Sequence, residues 1–370
     1  MLEYQSIKLK SFSILQERRR KEVIENSRRR RDALIAKRRE QLFLDDLKTS
    51  VGLRFDEAAK KDEKRRAQAM KDQMKRRQFS QTLCMPEWMT EVPSDLKSNW
   101  ICVPKPDGKR YILSSKNGRS TLRTIYGYSQ SVKTNLPGGV GSYRGNSVLD
   151  VILTGSCVYV MDILYFNNVD YGESEAESRL FTLHSRLSET EYWLHVNGKQ
   201  YGITTPPFFD CTESSLRRVY ESSFPFQLNG LLFLQKTGRV DAGCSPLQLL
   251  WKDAHTAQYF VNTDRDGVVL QRQEVTLLYA QGCLVSLEGV AVGEGVLEGV
   301  LEAALVRCAI EGVTRGEGGE WRIERIEPLG LASMAKTLPD SLSKIVFQEM
   351  ARVEPLSFEQ ILGVVREVNV

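Results

Sequence analysis

The sequence predicts an α+β protein in which a helical basic arm and a charged linker precede a body built around antiparallel sheets. Three observations carry this. The charge is split along the chain. From Met1 to Val51 there is no Gly or Pro. After Phe79 the chain becomes a succession of short β-branched and aromatic runs divided by turn signals.

The split is large. Residues 1–80 carry a net +11 (24 Lys and Arg against 13 Asp and Glu), and residues 81–370 a net −7 (27 against 34). A basic arm of this kind suits nucleic acid, an anionic membrane or an acidic protein. No apolar run approaches the ~20 residues a membrane helix needs, and no secretory signal is expected. Seven scattered cysteines without a C-x-x-C pair imply reduced thiols. Three dispersed histidines do not make a metal site. No metal and no cofactor is expected.

In the arm, residues 1–44, the clusters Arg18-Arg19-Arg20, Arg28-Arg29-Arg30-Arg31 and Lys37-Arg38-Arg39 recur about every ten residues. A helix would therefore carry positive charge on several faces. Apolar positions are too sparse for a core, which predicts a helix that frays alone and orders on a partner. Residues 45–78 read as a charged linker. Leu2, Ile7, Leu9, Phe12 and Ile14 have the uneven spacing of a helix-in-groove ligand or of an ordinary helix start.

In the body, strands are expected over Trp100–Val103, Tyr111–Leu113, Val158–Phe166, Gly230–Leu234, Gln258–Val261, Val268–Leu270 and Val275–Tyr279. Helices are expected over Ser214–Ser222 and Ser341–Val353. Within this pattern, Lys105-Pro106-Asp107-Gly108-Lys109-Arg110 fits K-x-D-G-x-R, the signature of enzymes that load a nucleotide onto lysine. V-Y-V-M-D-I-L-Y-F (158–166), F-P-F-Q-L-N-G-L-L-F (224–233) and P-L-Q-L-L-W-K (246–252) follow in the order of the mRNA-capping guanylyltransferases, which this region resembles. The resemblance implies a nucleotidyltransferase-like cap-binding domain over residues 79–269. It also implies a degenerate OB-like region over 270–370, where G-E-W-R-I-E-R-I-E-P (319–328) resembles the last OB strand.

Lysyl-nucleotide chemistry needs a nucleophile, metal-holding carboxylates and cations. Here the Gly-Glu of the second motif is Ile163-Leu164, the acid of the third is Asn229, and the first Lys of the fourth is Leu250. The expectation is a pocket without catalysis. L-C-M-P-E-W-M-T-E-V-P-S-D-L-K-S-N-W (83–100), N-L-P-G-G (135–139) and L-H-S-R-L (183–187) resemble the snurportins. Residues 27–43 resemble the importin-β-binding segment of import adaptors.

That resemblance implies recognition of the 2,2,7-trimethylguanosine cap of small nuclear RNAs. Trp251 is expected to stack on the cationic base, with Trp100 beside it and Ser98, Thr121, Leu122, Arg123, Leu136 and Lys252 at cap-contacting positions. It implies importin β as the partner of Arg18, Arg19, Arg20, Arg28, Arg29, Arg30, Arg31, Lys37, Arg38 and Arg39. An exportin would take the N-terminal apolar residues, and the protein would shuttle between cytoplasm and nucleus. The sequence departs from familiar snurportins in having a lysine at 105 and a C-terminal extension. The alternatives are a guanylyltransferase with Lys105 as nucleophile, and a non-specific RNA-binding protein.

Overall fold

A computed structural model describes residues 5–6, 16–27, 29–30, 75–258, 260–263, 268–270, 272–294, 300–315, 321–333 and 335–367. Three sheets organise them. β1 is Gln5–Ser6; the helices α1 (residues 16–27 and 29–30) and α2 (residues 75–81) come next, then β2 (Cys84–Trp88) and α3 (Leu96–Asn99).

The long β3 (Trp100–Pro106) follows, and then β4 (Lys109–Lys116), β5 (Arg119–Thr124), β6 (Ser129–Thr134), β7 (Asn146–Leu153), β8 (Cys157–Phe166) and β9 (Val169–Asp170). α4 (Ala176–Glu189) leads to β10 (Tyr192–Val196) and β11 (Lys199–Thr204). The strands β11-β10-β6-β5-β4-β7-β8 pair side by side, and a parallel pairing of β11 with β8 closes them into a barrel. Closure leaves no free edge among these strands. Leu113, Leu122, Leu136, Leu149, Val160 and Leu194 fill its interior. Asn117 (φ 53°) and Gly118 (φ 78°) turn β4 into β5, as a two-residue hairpin of the primed type requires.

The second sheet has the order β12-β3-β13-β14-β2, with β12 at Phe209–Asp210, β13 at Leu228–Gln235 and β14 at Gly243–Trp251. One face lies on the barrel, where Ile101, Val103, Leu232 and Leu234 meet Ile152 and Met161 and Leu180 of α4. The other face is covered by α3, by α5 (Glu213–Glu221) and by α7 (Phe358–Glu367), through Leu216, Val219, Phe358, Ile361 and Leu362. Thr212 caps α5 by accepting from the Ser215 amide, which fixes the start of the expected helix.

The third sheet, β1-β17-β16-β15-β18-β19, is an antiparallel C-terminal unit. It comprises β15 (Gln273–Ala280), β16 (Cys283–Val285), β17 (Ala291–Glu294), β18 (Leu305–Arg315) and β19 (Trp321–Leu331), with β1 added at the edge. α6 (Leu342–Val353) packs on it, capped by the Ser341 hydroxyl.

Three expectations change. Gln258–Val261 forms no strand over its described residues, and Val268–Leu270 keeps one bridge, Val269 to Thr263. The backbone there is satisfied by a side chain instead: Gln348 of α6 donates to Phe260 O (2.9 Å) and accepts from Asn262 N (2.6 Å). The part of the chain beyond residue 269 also completes the body before it, because α7 packs on the second sheet.

The third change concerns the arm. α1 lies against the body through polar contacts rather than an apolar stripe. Gln16 donates to Glu87 (2.8 Å), Arg19 pairs with Glu87 (2.5 Å), and Arg239 donates to Ser27 O (2.6 Å). Arg30 pairs with Asp241, and the Arg20 guanidinium lies 5.9 Å from the Trp100 ring centre. Arg18 and Arg29 remain exposed, paired within the helix to Glu22 and Glu25. Arg28, Arg31, Lys37, Arg38, Arg39 and the apolar residues Leu2, Ile7, Leu9, Phe12 and Ile14 lie outside the described residues.

Candidate nucleotide cleft

The motif segments converge where the second sheet faces the barrel. β3 carries Lys105 as its penultimate residue, and the turn to β4 carries Asp107 and Gly108. Gly108 is required there, since a Cβ would lie 2.5 Å from Leu153 O. β4 contributes Arg110, β7 Asp150 and β8 Asp162. A cavity of about 140 Å³ is lined by Lys105, Arg110, Asp150, Asp162 and Gln248, with Cys84 and Pro86 of β2 and Leu232 of β13.

Its acids are already engaged. Arg110 holds Asp150 through two nitrogens (2.5 and 2.9 Å) and also donates to Cys84 O (2.7 Å). Arg179 of α4, itself buried, holds Asp162 in the same forked way (2.8 and 3.0 Å) and donates to Ser174 O and Gly238 O. Each fork engages both carboxylate oxygens and places a guanidinium against the acid, so neither acid presents an uncompensated negative charge to a ligand.

The cations are not engaged to the same degree. Lys105 makes a single long hydrogen bond, to Pro106 O (3.4 Å). Burial, and secondarily the charge of Lys252, lowers its pKa to about 8. Burial likewise lowers Lys252 to about 8, against the pull of Asp107. Lys252 donates to Asn229 Oδ1, and Asn229 donates to Asp107 (2.6 Å). The Lys252 ammonium also sits 5.3 Å from the Trp88 ring centre. The cleft thus offers two desolvated ammonium groups whose charge lacks a matching carboxylate, an arrangement that a phosphate chain would neutralise.

Strand alternation decides which expected residues face this cleft. Gln248 and Leu250 lie on its side of β14, opposite Leu234 and Leu232. Trp251 pairs with Leu231 and points to the other face. It is fully buried, donates its indole N–H to Leu356 O (2.9 Å), and packs against Tyr220 and Phe358. In this structure it presents no face to a ligand, which corrects its expected stacking role. Trp100 is on the same far face. It is fully buried, donates to Asp95 (2.9 Å), and lines a separate cavity beneath Arg20 of α1.

The remaining positions divide in the same way. Leu122 and Leu136 are inside the barrel, so they touch no ligand. Thr121 and Arg123 are on its outer surface. Arg123 is the cross-strand neighbour of Ile112, which lines the cleft, and its guanidinium lies 4.7 Å from the Phe79 ring centre. Ser98 is exposed on α3, away from the cleft. Of the eight expected cap-contacting residues, Lys252 lies beside the cleft, near enough for its charge to act on Lys105, Arg123 borders it through Ile112, and Thr121 is further along the barrel's outer surface, hydrogen-bonded to the Ser114 hydroxyl.

Trp88 was not expected to have a role. It stands at the end of β2 on the cleft side, half-buried, with its ring 4.8 Å from Phe347 and its face toward Lys252. Its place beside Pro86 in P-E-W is a signal that strand alternation could have read. Among the described residues, one set of three possible metal ligands comes together: Glu87, Cys244 and Glu288. Arg19 already pairs with Glu87, and Glu288 accepts from the Leu342 and Ser343 amides.

Residues 82–252 match the family model of the Snurportin1 m3G cap-binding domain. Among solved structures, the chain is similar to the ligase domain of M. tuberculosis LigD, with 14% identity and a TM-score of 0.34 over 68% of this chain and 95% of that one. It is also similar to the ATP-dependent DNA ligase of bacteriophage T7 in complex with ATP, with 10% identity and a TM-score of 0.33 over 69% and 100%.

Proposed function

We propose that this chain, snurportin-like over residues 82–252, binds the 2,2,7-trimethylguanosine cap of small nuclear RNA without chemistry and carries the RNA toward the nucleus through importin β. The observation that carries the reading is the charge state of the cleft. Both acids are locked by arginines, while Lys105 and Lys252 stand half-buried without carboxylates of their own. Such a site attracts the cap's triphosphate.

Trp88 is then the aromatic shelf for the N7-methylated base. An indole face attracts a cationic purine by ~0.5–2 kcal/mol. The test is a titration with a trimethylguanosine cap dinucleotide, read by tryptophan fluorescence. Trp88→Ala and Lys252→Ala should weaken binding at least tenfold, whereas Trp251→Phe should leave it unchanged. Equal affinity in all four proteins overturns the assignment.

The enzymatic alternative has one observation in its favour, the depressed pKa of Lys105, which makes a partly neutral amine at pH 8. Incubation with labelled GTP and magnesium decides it. No lysyl adduct is expected. An adduct that disappears in Lys105→Ala would make the protein a guanylyltransferase.

The importin β role rests on the arm. Arg18 and Arg29 are open to a receptor, but Arg19 and Arg30 already pair with the body. Receptor binding around the whole helix therefore requires α1 to lift off. Capture of importin β by the full chain, lost when Arg28–Arg31 are replaced by alanine, is the expected result. Capture that survives the replacement removes the arm from the reading. Shuttling, with export through the N-terminal apolar residues, belongs to the same proposal.

A further inference from the structure

Between Asp107 and Asp150 the chain holds seven Lys and Arg and not one Asp or Glu, although the body as a whole is acidic. This segment forms β4, β5, β6 and the loop before β7. Inward-facing Leu113, Leu122 and Val132 commit the alternate positions to the barrel's outer surface. There Arg123 borders the cleft through its neighbour Ile112. Four residues along β5, a distance of ~13 Å, Arg119 lies directly opposite Lys116. Lys133 is exposed on β6, and Arg144 is exposed in the loop.

Among the described residues, no carboxylate pairs with Lys116, Arg119, Arg123, Lys133 or Arg144. Like charges directly opposite one another across a sheet destabilise it, and among the described residues no ion pair offsets the Lys116–Arg119 juxtaposition.

Aromatic rings accompany the charge. Tyr143 is 73% exposed, with the Cδ1–Cε1 edge of its ring against the Gly118 turn between Lys116 and Arg119, so closely that a Cβ at Gly118 would have no room. Tyr128 is 46% exposed under the Arg76 guanidinium at 4.3 Å. A large exposed ring fixed by its edge beside unpaired cations suits neither the core nor mere solvation.

We infer that this outer face of the barrel binds single-stranded RNA: the bases stack on Tyr143 while Lys116, Arg119 and Arg144 take the phosphates. The face begins at the cleft wall and runs away from it, so in the cap-binding reading it receives the nucleotides that follow the cap. It extends that reading without requiring it, because the face would bind uncapped RNA as well. Stacking on one ring and pairing of phosphates with exposed cations are the two contributions that sequence-tolerant single-strand binding uses.

The experiment compares the full-length protein with Lys116→Ala/Arg119→Ala/Arg144→Ala and with Tyr143→Ala. The probes are an uncapped RNA of about ten nucleotides, the same RNA carrying the cap, a duplex of the same sequence, and the cap dinucleotide. The arm is identical in every variant, so its own affinity cancels. The triple variant should bind both single-stranded RNAs about tenfold or more weakly, with a salt slope smaller by ~2. Tyr143→Ala should weaken single-strand binding with little change in slope. Dinucleotide affinity should not change in either variant.

Unchanged affinity of the triple variant for uncapped RNA overturns the proposal. So does duplex binding equal to single-strand binding together with a silent Tyr143→Ala, which would make the face a general polyanion surface. A protein that binds uncapped RNA through this face but ignores the dinucleotide would refute the cap reading and leave this inference standing.

Discussion

The two cleft lysines lead to a prediction of opposite pH dependences for one pair of groups. Burial lowers both Lys105 and Lys252 to about 8, against ~10.4 for an unfolded lysine. Between pH 8 and ~10.4 these two lysines therefore hold more protons in the unfolded chain than in the native one, so their share of native stability rises with pH across that window. It is opposite in sign to that of the thiols of Cys84, Cys102, Cys211, Cys244 and Cys308, which burial holds protonated. Each lysine accounts for up to ~3 kcal/mol at 1.36 kcal/mol per unit. The pair accounts for less than double, because part of the Lys105 depression is the charge of Lys252 and vanishes when either loses its proton.

Phosphate binding runs the other way. A lysine with a pKa of about 8 goes from ~90% charged at pH 7 to ~10% at pH 9. A ligand that needs the charge then loses about tenfold per lysine, or about a hundredfold for two. The assay is calorimetric titration of a cap dinucleotide at half-unit steps from pH 6.5 to 9.5. Trimethylguanosine nucleoside, which shares the base but lacks the triphosphate, is the control. The ratio of the two affinities should fall by one to two orders of magnitude, and Lys252→Gln should flatten about half of that fall. In urea melts of the unliganded protein, the stability difference between the wild type and Lys105→Met/Lys252→Met, in which the thiols cancel, should shift in favour of the wild type as pH rises above 8. A ratio independent of pH, or a wild type that gains no stability relative to that double variant between pH 8 and ~10, would refute the picture of two desolvated cations awaiting an anion.

Further expectations concern the far face and the arm. Trp251→Ala removes a fully buried indole from the contact of β14 with α5 and α7; it should cost ~3–5 kcal/mol by denaturant melts, where a ligand-facing residue would cost little. Arg19→Ala leaves Glu87 fully buried, its pKa raised by burial, without its ion pair. The helix should detach, seen as faster proteolysis after Arg18 and Arg20, with a penalty of up to ~3–5 kcal/mol that Arg19→Ala/Glu87→Gln partly restores. Gly230→Ala should destabilise the third motif, because its φ of 97° is unfavourable for alanine and the Cβ would meet Trp251 O at 2.6 Å.

What the sequence could and could not disclose follows from the period of a strand. Runs of β-branched and aromatic residues located β3, β4, β8, β13 and β15, and the spaced motifs brought Lys105 and Asp162 to one cleft with the Lys252–Asn229 pair beside it. A motif fixes a residue's place along a strand. The face it presents depends on register, and one step inverts it. Trp251 is the consequence: it adjoins Lys252 in sequence yet lies on the opposite side of the sheet.

The same rule makes it impossible for Thr121, Leu122 and Arg123 to meet one ligand together from the middle of β5. Alternation alone would have assigned Leu122 to the barrel and Trp88 to the cleft. The docking of α1 was hidden for a different reason. Its contacts are Arg19–Glu87, Arg30–Asp241 and Arg239–Ser27, between residues 68, 211 and 212 positions apart. No local periodicity encodes a pairing of charges over such separations. The basic run that suggested an outside partner is the same feature that supplies an inside one, so the arm's arginines must leave Glu87 and Asp241 before all of them can serve a receptor.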